Sequence, residues 1–239
     1  MKNKEISILI PAYNAEDFIN ETILKIVNRM TELQISNYEV IIVENGSTDQ
    51  TKEIVEKLAK ENIKLIAYSQ PKADLGNAMK KAIEESNGAF SIYLPADLSY
   101  SLDFINESLK LKETFDVIYG SKMLKDSNVN IRKSRKFLSN SFSFLVKMHF
   151  RFKVKDTQGV KAFKTNLFKK YLSIFPNGFL WDLGFVYVAK KKEYKWIEIP
   201  CNVVDLHTSS SVRIIRTTLR MLFGLKKFRL KTWYTKFPK

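Results

Sequence analysis

At 239 residues, 45% hydrophobic and 27% charged, the chain is long enough for one domain with a real core and too apolar to be disordered. Eight Gly and six Pro exclude collagen-like or low-complexity material, and a single cysteine, Cys201, excludes an internal disulfide framework and a Cys-rich zinc site. The net charge of +15 belongs to the second half: residues 1–118 hold 13 basic and 19 acidic side chains, residues 119–155 hold 10 and 1, and residues 206–239 hold 9 and 0.

In chain order, Ile6-Ser-Ile-Leu-Ile10 is a short β-branched run stopped by Pro11 and reads as a buried strand. Phe18, Ile19, Ile23, Ile26, Val27 and Met30 recur at a helical period within residues 15–33. Glu39–Val43 is a second buried strand, broken at Asn45-Gly46-Ser47, and Ser47 or Thr48 is placed to cap a helix through Lys60. Ile63–Tyr68 is a third strand, Leu75–Ser86 a helix, Ala89–Leu94 a fourth strand, Ser101–Leu111 a helix and Asp116–Tyr119 a fifth strand. Strands alternating with helices at this spacing predict an α/β protein, a Rossmann-like and mostly parallel sheet flanked by helices. In such a sheet ligands bind outside the C-terminal ends of the strands.

The loops at those ends are Pro11-Ala-Tyr-Asn14, Glu44-Asn-Gly-Ser-Thr-Asp49, Leu75-Gly-Asn-Ala78 and Pro95-Ala-Asp-Leu-Ser99. Each alone is ordinary turn chemistry, but the four converge on one edge of the predicted sheet. The longest stretches without a charge, Ser86–Ala96 and Tyr171–Trp181, have 11 residues each, short of the roughly 18–20 that a spanning helix needs. The start, MKNKEISILIPAYN, turns polar too early for a signal peptide. The expected location is therefore cytoplasmic or peripheral on the cytoplasmic face of a membrane. His149 and His207 have no partner at metal-ligand spacing.

The charge distribution points to a polyanion as partner, set against a merely solvated lysine-rich surface. No nucleic-acid motif accompanies it, so no nucleic-acid partner is expected. In the C-terminal part Arg213, Arg216, Arg220 and Lys227 share one helical face, beside an apolar row of Ile215, Leu219 and Leu222 with Met221, Leu225 and Phe228 next to it. A basic amphipathic helix of this kind suits a membrane interface, and Lys231–Lys236 suits headgroup depth. The expected division is 1–211 as the main domain and 212–239 as an interfacial tail. The apolar, aromatic segment Phe137–Phe152 reads either as core or as a second membrane contact.

With these residues in view, the sequence resembles the family 2 glycosyltransferases of GT-A fold, and among them the dolichyl- or polyprenyl-phosphate mannose and glucose synthases. The resemblance rests on ILIPAYNAE, VIIVENGSTDQT, LGNAMKKAI and LPADLSYS, and further on DVIYGSKM, DTQGVKAFK, the segment from Gly178 to Val204 and SSVRIIRTTLRML. It implies inverting transfer of a sugar from a nucleotide-sugar donor to a polyprenyl (dolichyl) phosphate, with a membrane surface or a membrane protein as further partner. The alternatives are a non-catalytic or metal-independent relative that binds nucleotide or lipid, and transfer to a saccharide or protein hydroxyl. By position in the motifs, Pro11, Ala12, Tyr13, Glu44, Gly76, Asn77, Ala96 and Asp97 would bind the nucleotide, with Glu44 on the base or ribose. Lys122 and Arg132 would act on phosphate at the reacting centre beside Asp97 and Asp182. Arg132, Arg135, Gln158, Arg213 and Arg216 would hold phosphates of donor or acceptor.

Asn45 stands where the resemblance implies a second Asp, and Lys122 where many relatives have Arg; two further departures bear more directly on the chemistry. The metal motif Asp-Ala-Asp is here Pro95-Ala96-Asp97, which leaves Asp97 and Ser99 as candidate ligands for Mg²⁺ or Mn²⁺. Three readings follow: metal held by Asp97, substrate and water; Lys or Arg in place of the metal; or loss of transfer. The second departure is Gly184, where many relatives carry another acid two residues after Asp182. A phosphate acceptor tolerates that loss, because a monoester is already largely ionised near neutral pH, with a second pKa of about 6.

Overall fold

The computed structural model describes residues 4–62, 64–131, 133–204, 223–230 and 232. Side chains are described throughout these except at residues 133–138 and 149. The assignments made above to Arg132, His207, Arg213, Arg216 and Arg220, and to the side chains of Arg135 and His149, lie outside them.

Among the described residues the elements follow in the order β1 (Lys4–Ala12), α1 (Ile19–Glu32), β2 (Tyr38–Asn45), α2 (Thr51–Glu61), β3 (Leu65–Gln70), α3 (Leu75–Glu85), β4 (Gly88–Tyr93), α4 (Asp103–Leu111), β5 (Val117–Ser121), β6 (Val129–Asn130), α5 (Lys133–Phe150), β7 (Lys161–Lys164), α6 (Thr165–Lys169), α7 (Trp181–Lys191), β8 (Trp196–Pro200) and β9 (Val203–Val204). Residues 223–230 are also helical. Seven strands form one sheet in the order β3-β2-β1-β4-β7-β5-β8, and β6 pairs with β9 apart from it. β7 is antiparallel to both β4 and β5, while the other pairings in the sheet are parallel. All strands but β7 therefore run the same way, and the ends of β1, β2, β4 and β5 share an edge with the start of β7.

Alternation along each strand divides the core in two. Ile6, Ile8, Ile10, Val40, Ile42 and Ile118 face α1, α2 and α4 through Ile19, Ile23, Ile26, Met30, Val55, Phe104 and Ile105. Leu9, Ile41, Val43, Tyr119 and Phe163 face α3 and α7 through Met79, Ile83, Phe185 and Val188. Burial of both sheet faces is why β1 and β2 read as near-continuous apolar runs.

Three expectations change. β1 does not stop at Pro11, which pairs with Val43. The Leu9 carbonyl accepts from Leu94 N at 3.0 Å, so residues of that parity face β4. Pairing with β4 ends at Leu9 opposite Tyr93, so the N–H that Pro11 lacks costs no ladder bond. Neither Ser47 nor Thr48 caps α2. The N-cap position is Gln50, whose side chain makes no capping bond, and the Asp49 carboxylate just before it accepts from Thr51 N at 3.0 Å and from Thr51 Oγ1 at 2.5 Å. The sheet also carries β7 and β8, in a stretch where the sequence suggested no strand.

At the opposite, N-terminal edge of the sheet, the buried carboxylate of Glu39 accepts from Ser7 Oγ at 2.6 Å and from Asn87 N at 2.6 Å, while Gly88 N donates to Ser7 Oγ at 2.8 Å. These bonds tie β1, β2 and the entry to β4. Glu39→Ala leaves the buried Ser7 hydroxyl without its acceptor and frees the Asn87 N–H at the surface, so we expect a loss of about 1–3 kcal/mol in urea unfolding at unchanged m value. Ser7→Ala combined with Glu39→Ala is expected to lose less than the sum of the single losses.

Candidate active site

The strand-end loops are fastened to one another before any ligand enters. Asn14 takes a left-handed backbone, φ 47°, which Asn tolerates better than most residues. Its N–H donates to Ser47 Oγ at 3.1 Å and its Oδ1 accepts from Thr48 N at 2.9 Å. Ala15 N donates to Thr51 Oγ1 at 2.7 Å, and Gln50 N to Glu16 Oε2 at 2.8 Å. The loops after β1 and β2 are thus one unit. Pro11 and Ala12 are buried at its base, and Tyr13 stands 42% exposed above it.

Glu44, at the end of β2, is only 3% exposed. Its Oε1 accepts from Ser47 N and its Oε2 from Ser69 Oγ, each at 2.5 Å. The carboxylate therefore shapes its own loop, and each oxygen keeps a lone pair for a further donor. Asn45, in place of an acid, uses Oδ1 to accept from Asp74 N at 2.7 Å and from Gln70 Nε2. Gly46 is required here: φ is +69°, and a Cβ would lie 2.7 Å from Ala73 N.

Asp74 caps α3, with Oδ1 accepting from Asn77 N at 2.9 Å and from Gly178 N at 2.8 Å. Gly76 is buried beneath the same segment, where a Cβ would lie 2.6 Å from the Pro176 carbonyl oxygen. Gly76 thus serves the close approach of α3 to residues 176–178, and Asn77 is exposed beside it.

Past β4, Asp97 Oδ1 accepts from Ser99 N at 3.0 Å, with Leu98 between them at φ 45°. The Ala96 carbonyl accepts from Thr22 Oγ1 at 2.6 Å and the Ser99 carbonyl from Val204 N at 2.9 Å. This tight turn commits one Asp97 oxygen, while Oδ2 makes no hydrogen bond among the described residues. No group of three His, Cys, Asp or Glu side chains that could hold a metal occurs among the described residues. One free carboxylate oxygen beside a buried serine fits an ion that draws its other ligands from a diphosphate and water; it does not make a self-sufficient metal cage.

The centre of the edge holds four charges. Lys161 is 0% exposed at the start of β7, opposite Tyr93 of β4 and Tyr119 of β5. Its Nζ pairs with Asp182 in the first turn of α7, donates to the Gly159 carbonyl at 2.7 Å and lies 5.1 Å from the centre of the Trp181 ring. Beside it Asp156, also 0% exposed, accepts from Gln158 N at 3.0 Å and pairs with Lys122 Nζ at 3.2 Å. Burial pushes the Asp182 carboxyl up to about 6; Lys161 pulls it back and Asp156 adds to the rise. The raised value means that the folded chain binds this proton more tightly than the unfolded one. The group's contribution to stability is therefore present below pH 4 and lost as pH rises through 6.

Of the residues named from sequence, the structure brings Glu44, Asp97, Ser99, Lys122, Gln158 and Asp182 to this edge. Lys161 was not foreseen. Its only signal is a lysine inside the apolar run from Val160 to Phe163. Gly184 is explained: a Cβ would lie 2.8 Å from both Phe175 Cα and Cγ, so α7 has no room for a second acid there.

Residues 7–172 match the family described as Glycosyl transferase family 2. The chain is 26% identical over 236 residues to Glycosyltransferase AglD of Haloferax volcanii, covering 96% of this chain but only 37% of that protein. It is 27% identical over 258 residues to the Dolichyl-phosphate beta-glucosyltransferase of Dictyostelium discoideum, covering 95% of this chain and 78% of the relative. Among solved structures, the mannosyltransferase PcManGT from Pyrobaculum calidifontis, in complex with GDP-Man and Mn²⁺, superimposes with a TM-score of 0.58 at 18% identity, over 100% of this chain and 67% of that one. These likenesses confirm the GT-A fold.

Gly184→Asp is expected to destabilise rather than to supply a base. Overpacking alone costs about 1–3 kcal/mol, and the charge would be buried. Thermal and urea unfolding should show that loss, and nucleotide-sugar turnover should fall, not rise.

Proposed function

The chain belongs to glycosyl transferase family 2, and we propose that it transfers a sugar, with inversion, from a nucleotide-sugar donor to a polyprenyl (dolichyl) phosphate at the cytosolic face of a membrane. The observation that carries this reading is the meeting, at one sheet edge, of the Glu44 and Asp97 loops with the charged set of Lys122, Asp156, Lys161 and Asp182. A donor diphosphate laid along that edge would have its base end at Pro11, Ala12, Tyr13 and Glu44, near Gly76 and Asn77. Its phosphates would reach Ala96, Asp97 and Lys122.

Asp97, with Ser99 behind it, would hold a divalent Mg²⁺ or Mn²⁺ on the diphosphate. Such an ion offsets the charge that develops on the leaving group. An acceptor phosphate needs no strong base, since its oxygen is ionised near neutral pH. Arg132, Arg135, Arg213, Arg216 and Gln158 would orient it, and orientation supplies much of the rate. The acceptor oxygen forms its bond to the sugar carbon as the bond from that carbon to the donor diphosphate breaks. The Asp182 carboxylate would align the sugar or the basic side chains around it.

A lipid acceptor requires the enzyme to meet a membrane. Among the described residues no helix is long and apolar enough to cross one. We propose that residues 1–211 form the catalytic domain and that 212–239 is a peripheral membrane tail, assisted by α5. Phe144 and Met148 on α5, and Phe223 and Leu230 on the 223–230 helix, are 65%, 58%, 73% and 59% exposed. Lys226, Lys227 and Arg229 are exposed beside the latter pair. Apolar teeth set among cations match an anionic bilayer. Leu225 and Phe228, placed by the sequence beside the interfacial row, are instead buried, with Phe228 5.6 Å from Phe150 and 5.7 Å from Tyr187 between ring centres. They anchor the helix to the domain.

Incubation with a panel of labelled nucleotide sugars and polyprenyl phosphate in vesicles, followed by lipid extraction, tests the reaction. Labelled glycosyl lipid is expected from one donor, falling at least 100-fold in Asp97→Asn and on chelation of divalent ions. Equal transfer by that variant in EDTA would remove the metal; no lipid product with any donor would remove the reaction. On the membrane side, Lys226→Gln with Lys227→Gln should weaken flotation with anionic vesicles at least tenfold, each cation near such a surface contributing about 1 kcal/mol. Flotation unchanged in that pair and in Phe223→Ser would contradict the peripheral attachment.

A further inference from the structure

Lys161 lies outside every role assigned so far, yet it is the most deeply placed cation of the sheet edge. A lysine with 0% exposure is rare, because burying an ammonium is costly unless it is paired and hydrogen-bonded. Here its ammonium makes contact in three directions: with the Asp182 carboxylate, with the Gly159 carbonyl at 2.7 Å, and with the Trp181 ring at 5.1 Å. The three partners belong to the two segments that flank the proposed acceptor position. Gly159 ends the Asp156–Gly159 loop, and Trp181 and Asp182 open α7.

Both segments are already under tight constraint. A Cβ on Gly159 would lie 1.8 Å from the Gly120 carbonyl oxygen, so the loop lies directly on the end of β5. Asp156 is held there by Lys122 N at 3.2 Å and by the ion pair with Lys122 Nζ. Trp181 meets Tyr93 edge to face, with ring centres 5.1 Å apart. What connects the loop to α7 across this gap is the Lys161 ammonium. Without it, the Gly159 carbonyl and the buried Asp182 carboxylate face each other with no lysine donor between them.

We infer that Lys161 is a positioning residue of the transfer site, whose ammonium locks the Asp182 carboxylate and the Gly159 carbonyl into a fixed relation. The inference rests on the proposed reaction only for what Asp182 then does. Among the described residues, the groups in electrostatic reach of Asp182 are Lys161 from β7, Asp156 from the loop before it, Lys122 after β5, and the hydroxyls of Tyr93, Tyr100 and Tyr119. Of these the two lysines oppose the effect of burial and Asp156 adds to it. With Lys161 removed, the cation that still opposes it among the described residues is Lys122, already paired with Asp156.

The test uses the full chain with Lys161→Met, Asp182→Asn and the double variant, read by thermal unfolding, by carboxyl-carbon NMR titration of Asp182 and by transfer kinetics. The acceptor phosphate also titrates near 6, so the carbon signal, not the pH–rate curve, reports Asp182. We expect its midpoint near 6 in the unaltered chain and at least one unit higher in Lys161→Met. Each single variant is expected to unfold earlier, because each strands a buried charge. The double variant should recover most of that melting temperature and yet stay at least 100-fold down in kcat, with the KM for the donor changed less than threefold. Recovery of kcat together with stability in the double variant would show the pair to be a structural filler and overturn the inference. So would an unmoved Asp182 midpoint in Lys161→Met.

Should Lys161→Met fail to fold, Lys161→Arg keeps the cation and must then keep the Asp182 midpoint within half a unit; a larger rise counts against the inference. A chain that makes no glycosyl lipid contradicts the proposed reaction, whereas the unfolding and NMR readouts still decide the ion pair.

Discussion

The buried contact between Lys161 and Asp182 is the interaction on which the site depends. An ammonium and a carboxylate taken out of water are each expensive, and their attraction repays that only with good geometry and added hydrogen bonds. The fold supplies both. β7 enters against the direction of its neighbours, which brings Lys161 to the edge where β4 and β5 end. α7 begins there with Asp182, and the Gly159 carbonyl takes a second ammonium hydrogen. With Lys122 and Asp156 alongside, two cations balance two anions in a space walled by Tyr93, Tyr119 and Trp181. A substrate phosphate approaching this edge meets fixed charges, and fixed charges do not have to reorganise as a bond breaks.

The same economy explains the departures from the family pattern. Gly184 is where α7 lies against Phe175, so packing excludes a second acid at this position. A phosphate acceptor, ionised on its own, is the chemistry that tolerates such a site. Pro95 removes one metal-binding carboxylate, and the tight turn behind it still holds Asp97 with one oxygen free of other bonds among the described residues. A divalent ion at this place would depend on the donor's own phosphates for most of its ligands.

Much of this was legible in the sequence, for physical reasons. β1 to β5 are buried on both faces or packed on a helix, so their apolar runs stand out from the turn residues around them. Glu44, Asp97 and Asp182 could be singled out because they are carboxylates at strand and helix ends that lie in recognisable motifs. The misses share a cause, which is that they depend on contacts distant along the chain. Pro11 sits inside a strand only because β4 has stopped pairing beside it. β7 is four residues with a lysine at its head, and nothing local says that this lysine is buried. Ser47 and Thr48 do not cap α2 because both are engaged with Asn14, more than thirty residues away, and it is Asp49 that reaches the Thr51 N–H. That Glu44 also holds Ser47 N and Ser69 Oγ, the latter 25 residues away, could not be read locally either.

The central claim is that a nucleoside diphosphate lies along the C-terminal edge of β1, β2, β4 and β5, with its phosphates toward Asp97 and Lys122. The most direct measurement is backbone-amide NMR of the labelled chain titrated with a nucleoside diphosphate and Mg²⁺. The account predicts saturable shifts at residues 12–14, 44–47, 96–99 and 121–122, and none at the opposite edge, where Glu39, Asn87 and Gly88 sit. Saturable shifts confined to other residues, or to the far edge of the sheet, would contradict it.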